Sequence, residues 1–147
     1  MKIILTIFFS LLMSSCPSNN NQETAEMISI YEGSLKGDGS EGFTKQNIVI
    51  NSTKEWQDFL TKISVDNQFK DAIDFSKQTI LVAVDSKRNT GGFSIEVSEI
   101  IKKEGKFQVT ISSEGPKPTD MVTMVLTQPI HIVKINKTSK EIVFVTK

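Results

Sequence analysis

The chain is poor in the residues that build metal, thiol and imidazole chemistry: among its 147 residues it has one cysteine, one histidine, one tryptophan and one tyrosine. A zinc or copper centre made from His and Cys draws on three or four such ligands, so composition excludes it. His131 is flanked by Ile130 and Ile132 and reads as a hydrogen-bonded or exposed histidine on a strand. As a general base it would need a hydroxyl partner and an orienting acid, and no motif supplies them. Net charge is also missing, with 17 basic and 17 acidic residues. A neutral chain has no global field to gather nucleic acid or anionic lipid. Sparse aromatics leave no stacking platform for single strands. The glycine-rich stretch 33–42 lacks the Gly-Lys-Ser/Thr ending of a phosphate loop. Asp38, Glu41, Asp58, Asp66, Asp71, Asp74, Asp85 and Asp120 are scattered and form no calcium-loop pattern. No cofactor, metal or small-molecule substrate is implied.

The first fifteen residues carry an export pattern. Lys2 supplies a basic start, and residues 3–13 are apolar apart from Thr6 and Ser10. That run falls short of the roughly 20 apolar residues that span a bilayer. Met13-Ser14-Ser15-Cys16 resembles the bacterial lipobox, in which the cysteine is acylated and becomes the new N-terminus. Only a thiol offers the soft nucleophile for that transfer. Removing residues 1–15 takes away Lys2 alone and leaves 16 basic against 17 acidic residues. The expected product is anchored in a membrane of the bacterial envelope, the outer membrane in a two-membrane cell, with its domain in the periplasm or at the surface. Using the sole cysteine for lipid leaves none for a disulfide, so packing must supply the stability.

Residues 16–26, with Asn19-Asn20-Asn21-Gln22, have no apolar period and read as a flexible tether. Residues 27–147 form one domain. Strands are expected at 27–31, 45–51, 79–84, 93–101, 106–113, 121–127, 130–135 and 142–145, of which six or seven make up the sheets. The stretch 79–84 is continuously apolar and fits a strand buried on both faces. Phe93, Ile95, Val97 and Phe107, Val109, Ile111 alternate with polar residues, as half-exposed strands do. Gly105 supplies the turn between them. Pro129 has no amide hydrogen and marks a break, bulge or edge. Ser52 and Glu55 form a capping box ahead of Trp56, Phe59, Leu60 and Ile63, which fall at i, i+3, i+4 and i+7. This predicts one amphipathic helix over about 53–63 packed on a sheet, with a further helical turn around 69–73. The fold class is α+β, mainly β, with antiparallel sheets in a sandwich-like arrangement.

One loop stands above this background. Lys87, Arg88, Asn89, Thr90, Gly91, Gly92 and Phe93 join the buried strand to the first alternating one. Two successive glycines permit backbone geometry and close approach denied to other residues. Residue types alone favour a structural glycine turn. The segment 114–120 holds Pro116 and Pro118, whose preset φ lowers the entropy lost on docking. A meander of 79–84, 93–101 and 106–113 would bring the two loops to one end.

The run Thr79-Ile-Leu-Val-Ala-Val, the turn Thr90-Gly91-Gly92-Phe93, Pro116 and Pro118, and the stretch from Val122 through Pro129 to Lys134 resemble the PrcB C-terminal domain family over about 45–136. The resemblance implies a secreted or lipid-anchored, non-catalytic accessory subunit that associates with an extracellular protease. It makes Thr90, Gly91, Gly92 and Phe93 the signature turn, with a role either structural or in partner contact. Arg88, Asn89, Pro116 and Pro118 complete the candidate protein-binding loops. Residues 89–93 also resemble a loop of chagasin-type cysteine-protease inhibitors, without its proline or the companion Arg-Pro-Trp loop. Protease inhibition is the alternative reading.

Overall fold

The computed structural model describes residues 23–35, 44–63 and 72–147. Seven strands and one helix follow in the order β1 (Met27–Leu35), β2 (Gln46–Ile50), α1 (Thr53–Lys62), β3 (Gln78–Val84), β4 (Ser94–Lys103), β5 (Lys106–Glu114), β6 (Gln128–Asn136) and β7 (Ile142–Thr146). They form two sheets, β1-β6-β3-β2 and β4-β5-β7. The first is antiparallel throughout. In the second, β4 and β5 are antiparallel while β5 and β7 run parallel, a departure from the wholly antiparallel expectation. The class is α+β, mainly β, in three layers: helix, four-stranded sheet, three-stranded sheet.

Why the layers stack this way can be read along β3. Every residue from Thr79 to Val84 is buried. Ile80, Val82 and Val84 face α1, together with Ile130 and Ile132 of β6. Leu81 and Ala83 face the second sheet, with Val133 and Ile135 of β6 opposite Ile95, Val97, Ile100, Val109 and Ile111. Each fully buried aliphatic side chain contributes about 1.5–3 kcal/mol, so both faces of the middle sheet must be covered. On one face α1 does this with Trp56, Phe59 and Ile63, the Trp56 and Phe59 rings stacked at 5.7 Å. Its capping box is formed: the Ser52 hydroxyl accepts from the Glu55 amide, and the Glu55 carboxylate accepts from the Ser52 amide. The helical turn expected around Phe69 falls largely on 64–71, outside the described residues.

Several expectations need correction. Residues 121–127 are not a strand: regular pairing resumes only at Gln128. One isolated bridge, Arg88 to Thr127, is all the ladder this stretch has. Pro129 marks neither a break nor an edge. It is the second residue of β6, which lies between β1 and β3, and its carbonyl accepts from the Asp85 amide at 2.9 Å. Near a strand's start the missing N–H interrupts little of a ladder. The tether reading stops short of Glu26. Thr24 bridges to Ile101, the Ala25 amide donates to the Ile100 carbonyl, and Glu23 pairs with Lys102, so residues 23–25 lie along the open edge of β4. The turn at Glu104-Gly105 has positive φ at both residues, 52° and 80°, matching the hairpin geometry that twisted strands favour.

His131 connects the two sheets. It points from β6 toward β4, buried, and its Nδ1 accepts the Val97 amide at 2.9 Å while Nε2 lies 3.0 Å from Ser29 Oγ. Because Nδ1 accepts, the proton sits on Nε2 and is donated to Ser29. Burial pushes the imidazole below its ordinary value, against the raising influence of the Glu32 and Glu96 carboxylates. The unfolded chain, with a value of about 6.5, therefore takes up the proton first. His131 costs nothing above that pH and destabilises the fold progressively as pH falls from about 6.5 toward the folded-state value. Urea midpoints measured from pH 7 to 5 should fall further for the native chain than for His131→Gln, which does not titrate. Parallel curves would show that this bridge is not the acid-sensitive link.

Candidate functional site

The loop after β3 is anchored by a residue that the sequence reading left among scattered carboxylates. Asp85 follows the buried run Thr79–Val84 and is itself 1% exposed. Its Oδ2 accepts from Arg88 Nη2 at 2.8 Å and from Nε at 3.3 Å. Lys45 Nζ lies 3.5 Å from Oδ1, close enough for charge attraction but without a formed hydrogen bond. Burial by itself raises the Asp85 carboxyl; hydrogen bonds from Arg88 and the Ser86 amide, with the charges of Arg88 and Lys45, outweigh it and hold the group below the usual carboxylate range. The backbone is clamped as well, since Gln128 Nε2 donates to the Asp85 carbonyl at 3.0 Å. A carboxylate directly after a buried strand, three residues before an arginine, is the signal that could have marked it.

From this anchor the turn is built outward. Arg88 stands over the Phe93 ring, 4.6 Å from its centroid, a cation–π contact. The Arg88 backbone exchanges two hydrogen bonds with Thr127, at 2.8 and 2.9 Å. Thr127 Oγ1 donates to the Thr90 carbonyl at 2.8 Å, and the Gly91 amide donates to the Thr123 carbonyl at 2.9 Å. Gly91 packs against Thr123: a Cβ there would lie 2.5 Å from Thr123 Oγ1 and force that hydroxyl to move. Gly92 has φ +87° and packs on Pro116, where a Cβ would come within 3.2 Å. Gly115 lies under Phe93, a Cβ there meeting the ring at 2.8 Å.

The loops 88–93 and 115–118 therefore meet at one end of the molecule. They do so without a meander, because β3 belongs to one sheet and β4 and β5 to the other. Arg88, Thr90, Gly91, Phe93 and Pro116 are half-buried and engaged with one another, while Asn89, Gly92 and Pro118 are exposed. Beside them a cleft of about 410 Å³ opens between β1 and β4, lined by Glu32, Gly33, Ser34, Gly92, Phe93, Ser94, Ile95 and Thr127. Cys16 lies outside the described residues.

The Ser29–His131 pair is the one hydroxyl–imidazole contact among the described hydrogen bonds, and it is wired in the opposite sense to a nucleophile and its base. A base needs a free Nε2 facing the hydroxyl and a carboxylate on Nδ1. Here Nε2 donates and Nδ1 accepts from an amide. Among the described residues no three His, Cys, Asp or Glu side chains group to hold a metal ion, and no helix is long and apolar enough to cross a membrane.

Fold and loops together define a two-sheet β domain with a helix on one face and a paired-loop surface at one end. Residues 79–136, from β3 through β6, match the family model described as PrcB C-terminal, so the resemblance read from the sequence holds over this segment, somewhat less than half of the chain. No curated protein and no solved structure matches.

Two stability measurements check the clamp. Asp85→Asn strips the charge from a hydrogen-bonded ion pair and should cost about 1.5–3 kcal/mol in chemical denaturation. Gly92→Ala forces a side chain into a left-handed conformation against Pro116 and should cost about 1–3 kcal/mol. Values near zero for either would mean that the loop does not depend on it.

Proposed function

We propose that the chain is an exported, lipid-anchored accessory protein that binds and steadies an extracytoplasmic protease and performs no catalysis itself. The match of residues 79–136 to the PrcB C-terminal family carries this reading. The joined loops support it. A rigid frame of Asp85, Arg88 and Phe93 holds a surface on which Asn89, Gly92 and Pro118 are exposed, beside the exposed Lys87 and Lys117. Pre-set geometry lowers the ordering cost of association. The glycine turn is then mainly a support, and its rim is the contact.

The Met13-Ser14-Ser15-Cys16 sequence supports the anchor. Each buried acyl methylene contributes about 0.8 kcal/mol, so several chains on Cys16 hold the protein firmly. Its place is a membrane of the bacterial envelope, the outer membrane where there are two, with the domain in the periplasm or on the surface.

A photoreactive amino acid placed at Asn89, at Pro118 and, as a control, at exposed Val143 of β7 tests both parts in whole cells. Adducts with a protease are expected from positions 89 and 118 and not from 143. Fatty-acid label is expected on the native chain and not on Cys16→Ala. Adducts that contain no protease, or that form equally from Val143, would sink the partner reading; label that persists without Cys16 would sink the anchor.

A further inference from the structure

A polar side chain buried between two sheets joins them only while its donors and acceptors match the groups opposite. His131 meets that condition in one protonation state. Its Nδ1 accepts the amide of Val97 on β4, while Nε2 serves Ser29 of β1. A register shift in β4 falls directly after Val97, and bulges of this kind re-aim strand groups. Val97 and His131 are both buried, so the amide has no ready access to water. Two charged groups act on the imidazole, Glu32 of β1 and Glu96 of β4. The other strands present apolar side chains to this layer, Leu81 and Ala83 from β3 and Val109 and Ile111 from β5. Glu32 is opposite His131 in the β1–β6 register. The two side chains therefore share a face, with Cβ atoms about 4.5–5.5 Å apart. Glu96 alternates with Ile95 and Val97, which enter the core, and so points to the far face of β4. Glu32 is exposed and has no ion-pair partner among the described residues.

We propose that His131 is a proton-operated latch between the sheets: once protonated, it leaves the Val97 amide for the Glu32 carboxylate and admits water to the seam between β1 and β4. The added proton lands on Nδ1, the ring nitrogen that accepts in the closed state. Two N–H donors then face each other across a 2.9 Å contact. A buried amide stripped of its acceptor is costly, and either a turn of the ring or an entering water relieves it. Both routes lie at hand. The cleft of about 410 Å³ has Glu32 on one wall and Ser94 and Ile95 on the other. Imidazolium beside a carboxylate makes a charge-assisted pair. In the closed state burial weakens proton binding; in the open state hydration and Glu32 strengthen it. Falling pH therefore favours the open form, and rising pH restores the latch. Phe93 lines the same cleft, so acid loosens the wall under the loop rim. The latch does not depend on what that rim binds.

Amide hydrogen exchange of the full-length protein in detergent, followed by NMR and divided by the intrinsic rate at each pH, reads the latch directly. One coupled proton changes an opening equilibrium by at most about tenfold per pH unit. Between pH 7 and pH 5 the protection of Val97 should fall by about tenfold or more, while that of Val109, in the same core, should change by less than about twofold. His131→Gln cannot take up the proton, so its Val97 protection should not respond to pH. Glu32→Gln should keep the latch closed at pH 7 and leave Val97 several-fold better protected than in the native chain at pH 5. A native Val97 that ignores pH would overturn the latch. So would an equal loss at Val109, which would mean that the whole domain opens, or an equal response in His131→Gln. A Glu32→Gln chain that responds like the native one would overturn the exchange of partners.

Discussion

The rest of the structure depends on one constraint: β3 and β6 lie side by side and are apolar on both faces. A sheet with one wet face could have stood with a single cover. This one needs two, and the chain supplies an amphipathic helix for one side and a three-stranded sheet for the other. The crossing from one sheet to the next then has to be made by loops at the ends of β3 and β6, which is where the polar anchors are found. Asp85 closes β3, Gln128 opens β6, and the two are bonded to each other. His131, inside β6, is the polar side chain that reaches across the layer gap.

The candidate surface follows from the same arrangement. Since β3 ends buried, the first group able to carry charge after it is still largely out of water, and Arg88 is drawn back to neutralise it. That fold-back sets the path of 88–93, places the guanidinium over Phe93, and leaves the glycines where Thr123 and Pro116 press closest. Rigidity of the turn is thus a product of core burial one strand earlier. The side chains that make it rigid are mostly unavailable to a partner, and the exposed positions between them remain for contact.

Much of this was legible in the sequence, because it rests on local periodicity. The Trp56–Ile63 stripe, the uninterrupted 79–84 run and the alternations at 93–97 and 107–111 each state their environment directly. So did Gly105. What was not legible depended on tertiary partners. Residues 121–127 have strand composition but no neighbouring strand on their outer edge. Pro129 reads as an edge residue until β1 and β3 are seen on either side of it. The parallel β5–β7 pairing needs the chain to cross between sheets, which no local pattern encodes. Of the candidate site, the loop 88–93 and the two prolines were singled out by residue type, whereas Asp85 was lost among other carboxylates because burial, rather than identity, sets it apart.

Residues 23–25 run along β4 near Ile101, at the far end of that strand from Phe93. Eight residues of strand separate the two points, about 26 Å. The proposed lipid anchor would therefore enter the domain at the end of β4 opposite the Gly91-Gly92 rim, which would leave that rim on the side away from the attachment.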